Sequence, residues 1–235
     1  MTRSINRVAI IGTGVIGASW SALFLAKGLE VVATDVAPGA ETALRRFVEE
    51  AWPALKRLGL APGASQSKVT FTADLPAAVS SADLVQENGP ERIDFKKTLY
   101  RQLDELLPPD VIIASSSSGL TMSEIQSACS VHPERCVIGH PFNPPHLIPL
   151  VEIVGGAKTS EDTIQRASEF YTAMGKRAVP STRKCLDMSP IACRPPWPPP
   201  RWLRSTCPMM PQRRPGPQHT AVSTSATLTT PSATR

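Results

Sequence analysis

Arg7-Val-Ala-Ile-Ile-Gly12-Thr-Gly-Val-Ile-Gly17 is the stretch on which the reading of the fold turns. Arg7–Ile11 is a run of buried-strand length and composition. Three glycines follow at once in the order Gly-x-Gly-x-x-Gly. Ala18–Lys27 then reads as a helix, with Gly28 as its C-cap. Glu30–Asp35 reads as a second strand ending in an acid. Strand, glycine loop, helix, strand and acid, in that order, form the context in which such a loop binds a dinucleotide. Gly12 permits the tight turn, Gly14 lets backbone approach a pyrophosphate, and Gly17 lets helix and strand pack closely. The helix N-terminus then faces the phosphates. Asp35 is placed to bond the adenosine ribose hydroxyls, and its charge would repel a 2′-phosphate, so NAD is expected rather than NADP. Gly12, Gly14, Val15, Ile16, Gly17 and Asp35 are the candidate cofactor contacts. A glycine-rich turn with Asp35 as a loop residue or N-cap is the alternative. Arg45 and Arg46, which could serve a 2′-phosphate, sit well inside the next helix.

Working outward, the pattern keeps alternating. Helices are expected over Ala40–Leu58, Pro76–Ser80, Arg92–Leu107, Met122–Ala128 and Ser160–Gly175. Strands are expected over Lys68–Phe71, Asp83–Glu87, Asp110–Ser115, Cys136–Gly139, Leu150–Val154 and Arg177–Val179. Such alternation implies an α/β, Rossmann-type, doubly wound and mainly parallel sheet.

Val137–Gly155 holds the candidate chemistry. Two short strand-type runs flank a proline-rich connector that no helix tolerates. His140 ends the first run and Glu152 sits inside the second. If the runs pair, they bring together an imidazole and a carboxylate, as a general base and its orienting partner require. A carboxylate buried between Val151 and Ile153 is costly without a partner, and a partner fixes which imidazole nitrogen carries the proton. The residues alone leave two alternatives open: a histidine capping a strand end, and Glu152 on the solvent face of an edge strand. Ser115-Ser-Ser-Ser118 follows an apolar strand, where hydroxyls point into the ligand crevice of a parallel sheet. A polar turn with one serine as N-cap explains some of the four but not all. Asn143 could bond a substrate oxygen or the nicotinamide, or make an Asx-type turn. Ser-His-Glu nucleophilic catalysis fits poorly, because no Gly-x-Ser-x-Gly elbow is present.

Composition bounds the rest. No apolar run reaches membrane-spanning length, and the start of the chain has no signal-peptide core, so a cytoplasmic protein is expected. Five cysteines show no Cys-x-x-Cys pair and no metal spacing with histidine; reduced thiols and no metal are expected. The net charge of +5 is unevenly placed. Residues 1–180 carry 17 Lys and Arg against 19 Asp and Glu, whereas 181–235 carry 8 against 1. The basicity therefore lies in a proline-rich tail without regular spacing, and neither nucleic acid nor membrane is expected as a partner.

With the fingerprint and His140-Pro-Phe-Asn143-Pro both in hand, the chain resembles the L-3-hydroxyacyl-CoA dehydrogenase family. The resemblance rests on Gly12–Gly17, Ala114–Ser118, His140–Pro144 and Leu150–Glu152 and spans roughly residues 5–184. It implies that His140 takes the proton of a 3-hydroxyl while hydride leaves C3 for NAD, giving a 3-keto product. It further implies that Glu152 orients His140, and that Ser118 and Asn143 bond substrate and nicotinamide side. Glu91 and Lys96 fall at positions that contact the cofactor in the family. A 3-hydroxyacyl-CoA, and so fatty acid metabolism, is the expectation for the substrate. His140–Glu152 is most similar to the branch with lambda-crystallin (L-gulonate 3-dehydrogenase) and carnitine 3-dehydrogenase, and Ala40–Leu58 lacks the lysine-rich run used for coenzyme A. A small 3-hydroxy acid is therefore the alternative.

The resemblance also implies a homodimer formed through a C-terminal helical domain whose first helix opens on Pro-Gly-x-(Val/Ile)-x-Asn-Arg-Leu. Residues 181–235 instead carry eleven of the 24 prolines, which forbid helices and argue against a packed core. The genetic code offers a reason. TGC CTG GAC ATG TCG CCA ATC GCC TGC AGG encodes Cys185-Leu-Asp-Met-Ser-Pro-Ile-Ala-Cys-Arg194. Read one base earlier, after a lysine codon AAG, it becomes GTG CCT GGA CAT GTC GCC AAT CGC CTG CAG. That encodes Val-Pro-Gly-His-Val-Ala-Asn-Arg-Leu-Gln, the missing motif. The expectation is an NAD-binding domain over 1–184 and a disordered, out-of-frame tail over 185–235. It keeps open a non-catalytic NAD-binding fragment as a second reading.

Overall fold

The computed structural model of the protein describes residues 4–181; the expected out-of-frame tail over 185–235 lies outside the described residues. Eight strands form one sheet in the order β3-β2-β1-β4-β5-β6-β7-β8. The strands are β1 (Arg7–Ile11), β2 (Glu30–Thr34), β3 (Val69–Phe71), β4 (Leu84–Glu87), β5 (Ile112–Ser115), β6 (Cys136–Pro141), β7 (Leu150–Gly155) and β8 (Arg177–Ser181). The helices are α1 (Val15–Ala26), α2 (Ala40–Leu58), α3 (Leu75–Val79), α4 (Ile93–Leu106), α5 (Met122–Ile125) and α6 (Glu161–Ala173). The first six strands are parallel. β7 then pairs with β6 in the antiparallel sense and β8 runs parallel to β7.

Side chains alternate across the strands, and each face has its own core. Val8 and Ile10 of β1, Leu84 and Ile112 pack with α1, α2 and α6 through Trp20, Phe24, Leu44 and Tyr171. Ala9, Ile11, Val85 and Ile113 pack on the opposite face with α3, α4 and α5 through Leu99, Tyr100 and Met122. β1 is thus covered on both sides, which is why Val8–Ile11 reads as an unbroken apolar run. α1 is buried nearly all round, as a helix wedged between sheet and neighbouring helices must be. α2 buries one stripe, Leu44, Val48, Ala51 and Leu55, and its Pro53 stands on the solvent face. Truncation of a fully buried member such as Leu84 to alanine costs roughly 2–5 kcal/mol.

Where the described elements depart from the expected ones, local chemistry accounts for it. α1 begins at Val15 rather than Ala18, because the last glycine of the fingerprint is itself helical. Met122–Ala128 starts as an α-turn capped by the Thr121 side chain and finishes as a 3-10 turn. β6 runs on through His140 and Pro141, since Pro141 sits where the ladder to β7 ends. No described helix is long and apolar enough to cross a membrane.

Candidate active site

The strand order reverses at β1, which lies between β2 and β4. Ligands of doubly wound sheets bind in the crevice at that point, and the glycine loop stands there. Gly12 has φ +82°, and a Cβ would come within 2.8 Å of the Asn88 carbonyl oxygen. A Cβ on Gly17 would collide with the carbonyl oxygen of Gly12. Gly14 is different: a Cβ there meets no protein atom within 4 Å. No described protein atom demands glycine at 14, and the space there leaves room for a group laid against that backbone. The first N–H groups of α1, those of Val15, Ile16 and Gly17, have no intrahelical acceptor and face the same side as an anion would. Asp35 stands beside the loop. Its carboxylate accepts from the Thr13 N–H at 2.6 Å, the Thr13 hydroxyl at 3.0 Å and the Ala37 N–H at 2.9 Å. Burial pushes its carboxyl up, but these bonds together outweigh burial and hold it below the usual carboxylate range. An ionised acid at the end of β2, next to a helix N-terminus with room at Gly14, fits the adenosine ribose and pyrophosphate of NAD.

Ser115–Ser118 follow β5, and the structure divides their labour. Ser115 donates to Glu87 at 2.6 Å. Ser116 donates to Asn88 at 2.7 Å and accepts from Trp20 and Gln86. Ser117 donates to Glu91 at 2.7 Å. Ser118 alone of the four keeps its hydroxyl without a partner among the described residues, and it lines a cavity with Ser117, Met122, Ile138, His140 and Glu152. A single carboxylate oxygen organises this turn. Oε1 of Glu91 accepts from the Ser117 hydroxyl and from the N–H groups of Ser118, Gly119 and Leu120. Burial raises the Glu91 carboxyl, yet those donors and the Lys96 charge bring it net below its ordinary range.

Beneath the turn lies a charge pair that the sequence did not advertise. Lys96 and Glu87 are 1% and 0% exposed, and the ammonium bonds both carboxylate oxygens at 2.8 Å. Glu87 also accepts from the Gly89 N–H at 2.6 Å. Lys96, a cofactor contact by resemblance, therefore points at Glu87 and stands 3.9 Å from Glu91. The one available signal was an acid closing the strand Leu84-Val-Gln-Glu87, which requires a partner once the strand is buried.

His140 and Glu152 are direct partners in the β6–β7 ladder. Nδ1 of the imidazole lies 3.0 Å from Oε2 of the carboxylate, and their side chains are 23% and 40% exposed. With Nδ1 so engaged, Nε2 is the nitrogen left for a substrate. Gly139 is required behind it, since a Cβ there would collide with the Tyr171 ring. The Phe142 ring lies 5.6 Å from the imidazole, centre to centre. Asn143 is exposed on the connector, and its bond to Pro144 is cis. The structure thus gathers His140, Glu152 and Ser118 at one cavity, keeps Gly12–Gly17 and Asp35 together where the strand order reverses, and leaves Asn143 exposed on the connector.

The sequence profile of the family described as 3-hydroxyacyl-CoA dehydrogenase, NAD binding domain, matches residues 7–185. The chain is 54% identical over 173 residues to an L-carnitine dehydrogenase of Pseudomonas putida, covering 74% of this chain and 54% of that protein. It is 52% identical over 176 residues to an L-carnitine dehydrogenase of Streptomyces coelicolor, covering 75% and 55%. The chain spans about half the length of the curated relatives it matches. Among solved structures, an NAD+-dependent 5-formyl-3-hydroxy-2-methylpyridine 4-carboxylic acid 5-dehydrogenase matches with TM-score 0.70 and 39% identity over 75% of this chain and 57% of that one. A 3-hydroxybutyryl-CoA dehydrogenase from Escherichia coli matches with TM-score 0.70 and 27% identity over 76% and 38%.

Proposed function

We propose, from the fact that this chain belongs to the 3-hydroxyacyl-CoA dehydrogenase family through its NAD-binding domain, that its site oxidises a 3-hydroxyl to a 3-keto group. The observation that carries this is the 3.0 Å contact of His140 Nδ1 with Glu152 at a cavity holding the spare hydroxyl of Ser118. Nε2 of His140 accepts the hydroxyl proton. Glu152 holds the ring in the tautomer that leaves Nε2 unprotonated and offsets the charge the ring acquires. Ser118 bonds the substrate oxygen, and Asn143 closes the rim. NAD, held by Gly12–Gly17 and Asp35, would supply the acceptor for the hydride that leaves C3.

The substrate we favour is a small 3-hydroxy acid of the L-carnitine type, ahead of the acyl-CoA that the family as a whole suggests. Three observations support it. The relatives at about half identity carry that activity in their names. The ionisable groups lining the cavity are His140 and Glu152, so its fixed charge suits a substrate cation better than coenzyme A phosphates. On α2, Arg45 and Arg46 pair with Glu41 and Glu50 of their own helix rather than forming a free phosphate-binding run. NADH formation with L-carnitine, L-gulonate and 3-hydroxybutyryl-CoA in parallel tests the order; a clear preference for the thioester would reverse it.

A second reading is an NAD-binding chain without turnover, since the family match is to the NAD-binding domain, over residues 7–185. NADH binding combined with no product from any of the three substrates would select it.

A further inference from the structure

Lys176 lies 6% exposed where α6 gives way to β8. Its ammonium donates to the carbonyl oxygens of Pro145 and of Ile148, the latter at 2.8 Å, and stands 5.5 Å from the centre of the Trp20 ring. Both carbonyls belong to the connector, residues 142–149, that joins β6 to β7. Pro144, Pro145 and Pro149 have no N–H to give, so this segment cannot close a ladder of its own. Its internal bonds run from the N–H groups of Leu147 and Ile148 to the Pro144 carbonyl, both at 3.0 Å.

The connector is instead held from outside. On one side Ser19 of α1 accepts the His146 N–H at 3.0 Å and meets the His146 ring nitrogen Nδ1 at 2.7 Å. On the other side Lys176 collects two carbonyls, and the Arg177 N–H donates to Pro149 at 2.5 Å. An ammonium is expensive to bury, and an apolar side chain could cover Trp20 without that cost. What the ammonium adds is the pair of carbonyl bonds. Burial and the charge of Lys27 press the lysine from its usual range to about 8. The groups facing it are Lys27 at the end of α1 and the imidazole of His146, which burial and then Lys176 itself pull down.

We propose that Lys176 is a positioning residue: its ammonium pins the connector, and with it Phe142 and Asn143, against the cofactor helix α1. Its consequence for turnover rests on the functional reading above; the pinning itself does not.

Hydrogen exchange by mass spectrometry on the full 235-residue chain tests it, with Lys176→Met and Lys176→Arg alongside wild type. Methionine keeps a long apolar stem and removes the donors; arginine keeps charge and donors. In K176M the Leu147 and Ile148 amides should exchange at least about tenfold faster while β1 and β4 keep their rates, and K176R should regain most of the protection. An unchanged connector in K176M, a loss spread over sheet and connector alike (failure to fold included), or no rescue by K176R overturns the proposal. Kinetics separate it from the functional reading. Where wild type oxidises L-carnitine, K176M should lower kcat about ten- to a hundredfold with NADH affinity nearly unchanged; full turnover on a loosened connector would also overturn it. A connector loosened in K176M, in a chain whose wild type turns over nothing, upholds the pinning and counts against the functional reading.

Discussion

The imidazole of His140 and the carboxylate of Glu152 meet at 3.0 Å because β6 and β7 set these two residues directly opposite each other. A carboxylate at Nδ1 keeps the proton there and leaves Nε2 as the base. In Glu152→Gln the amide can donate to Nδ1 and favour the wrong tautomer. Steady-state NADH formation from L-carnitine should then show kcat lower by roughly 10²-fold or more, with KM changed far less. A Gln variant with wild-type kcat would deny Glu152 this role.

Asp35 makes the choice of nucleotide measurable in the isolated chain. Asp35→Ser removes a charged acceptor for the ribose hydroxyls, worth about 1.5–3 kcal/mol, so NADH should bind roughly ten- to a hundredfold more weakly. NADPH should bind as well or better, because the charge that repels its 2′-phosphate is gone. Fluorescence titration with both nucleotides reads the ratio. Equal affinities in the wild type would contradict the assignment.

The Lys96–Glu87 pair predicts a large structural penalty. Lys96→Met leaves a carboxylate of 0% exposure without its cation, which costs roughly 3–5 kcal/mol. The urea midpoint should fall accordingly, and adding Glu87→Gln should recover part of it. A loss below about 1 kcal/mol would put the pair in the class of exposed ion pairs.

Asp35, Glu91 and Asp104 fix the sign of the acid response. Burial is the largest influence on each and pushes it up, but hydrogen bonds, joined by Lys96 at Glu91 and Arg135 at Asp104, bring all three below their ordinary range. The folded chain therefore binds these protons less readily than the unfolded one. The stability they contribute is complete above the ordinary carboxylate values of about 4 and is lost as pH falls through the lowered ones. The melting temperature should hold down to roughly pH 5 and drop below it, with a shallower drop in Glu91→Gln. A melting temperature that rises on acidification through this range would contradict the sign.

Much of this was legible in the sequence, for reasons that are local. The fingerprint through Asp35 is a contiguous stretch whose glycines answer to backbone geometry. The α2 stripe at Leu44, Val48, Ala51 and Leu55 is plain helical periodicity. His140 and Glu152 came into view because a short connector limits where two strands can go. The rest depends on contacts between distant segments. Nothing near Ser115–Ser118 says that three hydroxyls are spent on Glu87, Asn88 and Glu91 and one is kept. Lys176 reads as an ordinary lysine after a helix until the connector carbonyls are seen above it. The antiparallel turn of β7 is equally silent, because a short strand carries no mark of direction.

The most direct test of His140 as the base is NADH formation from L-carnitine by wild type and His140→Ala. It should be run on this chain and on the gene with its frame shifted by one base after Lys184. Turnover is expected in the frame-shifted product, and His140→Ala should reduce it by roughly 10²–10⁴-fold, with NADH binding preserved. Undiminished turnover in His140→Ala, or no oxidation of L-carnitine by any form that binds NADH, would contradict it.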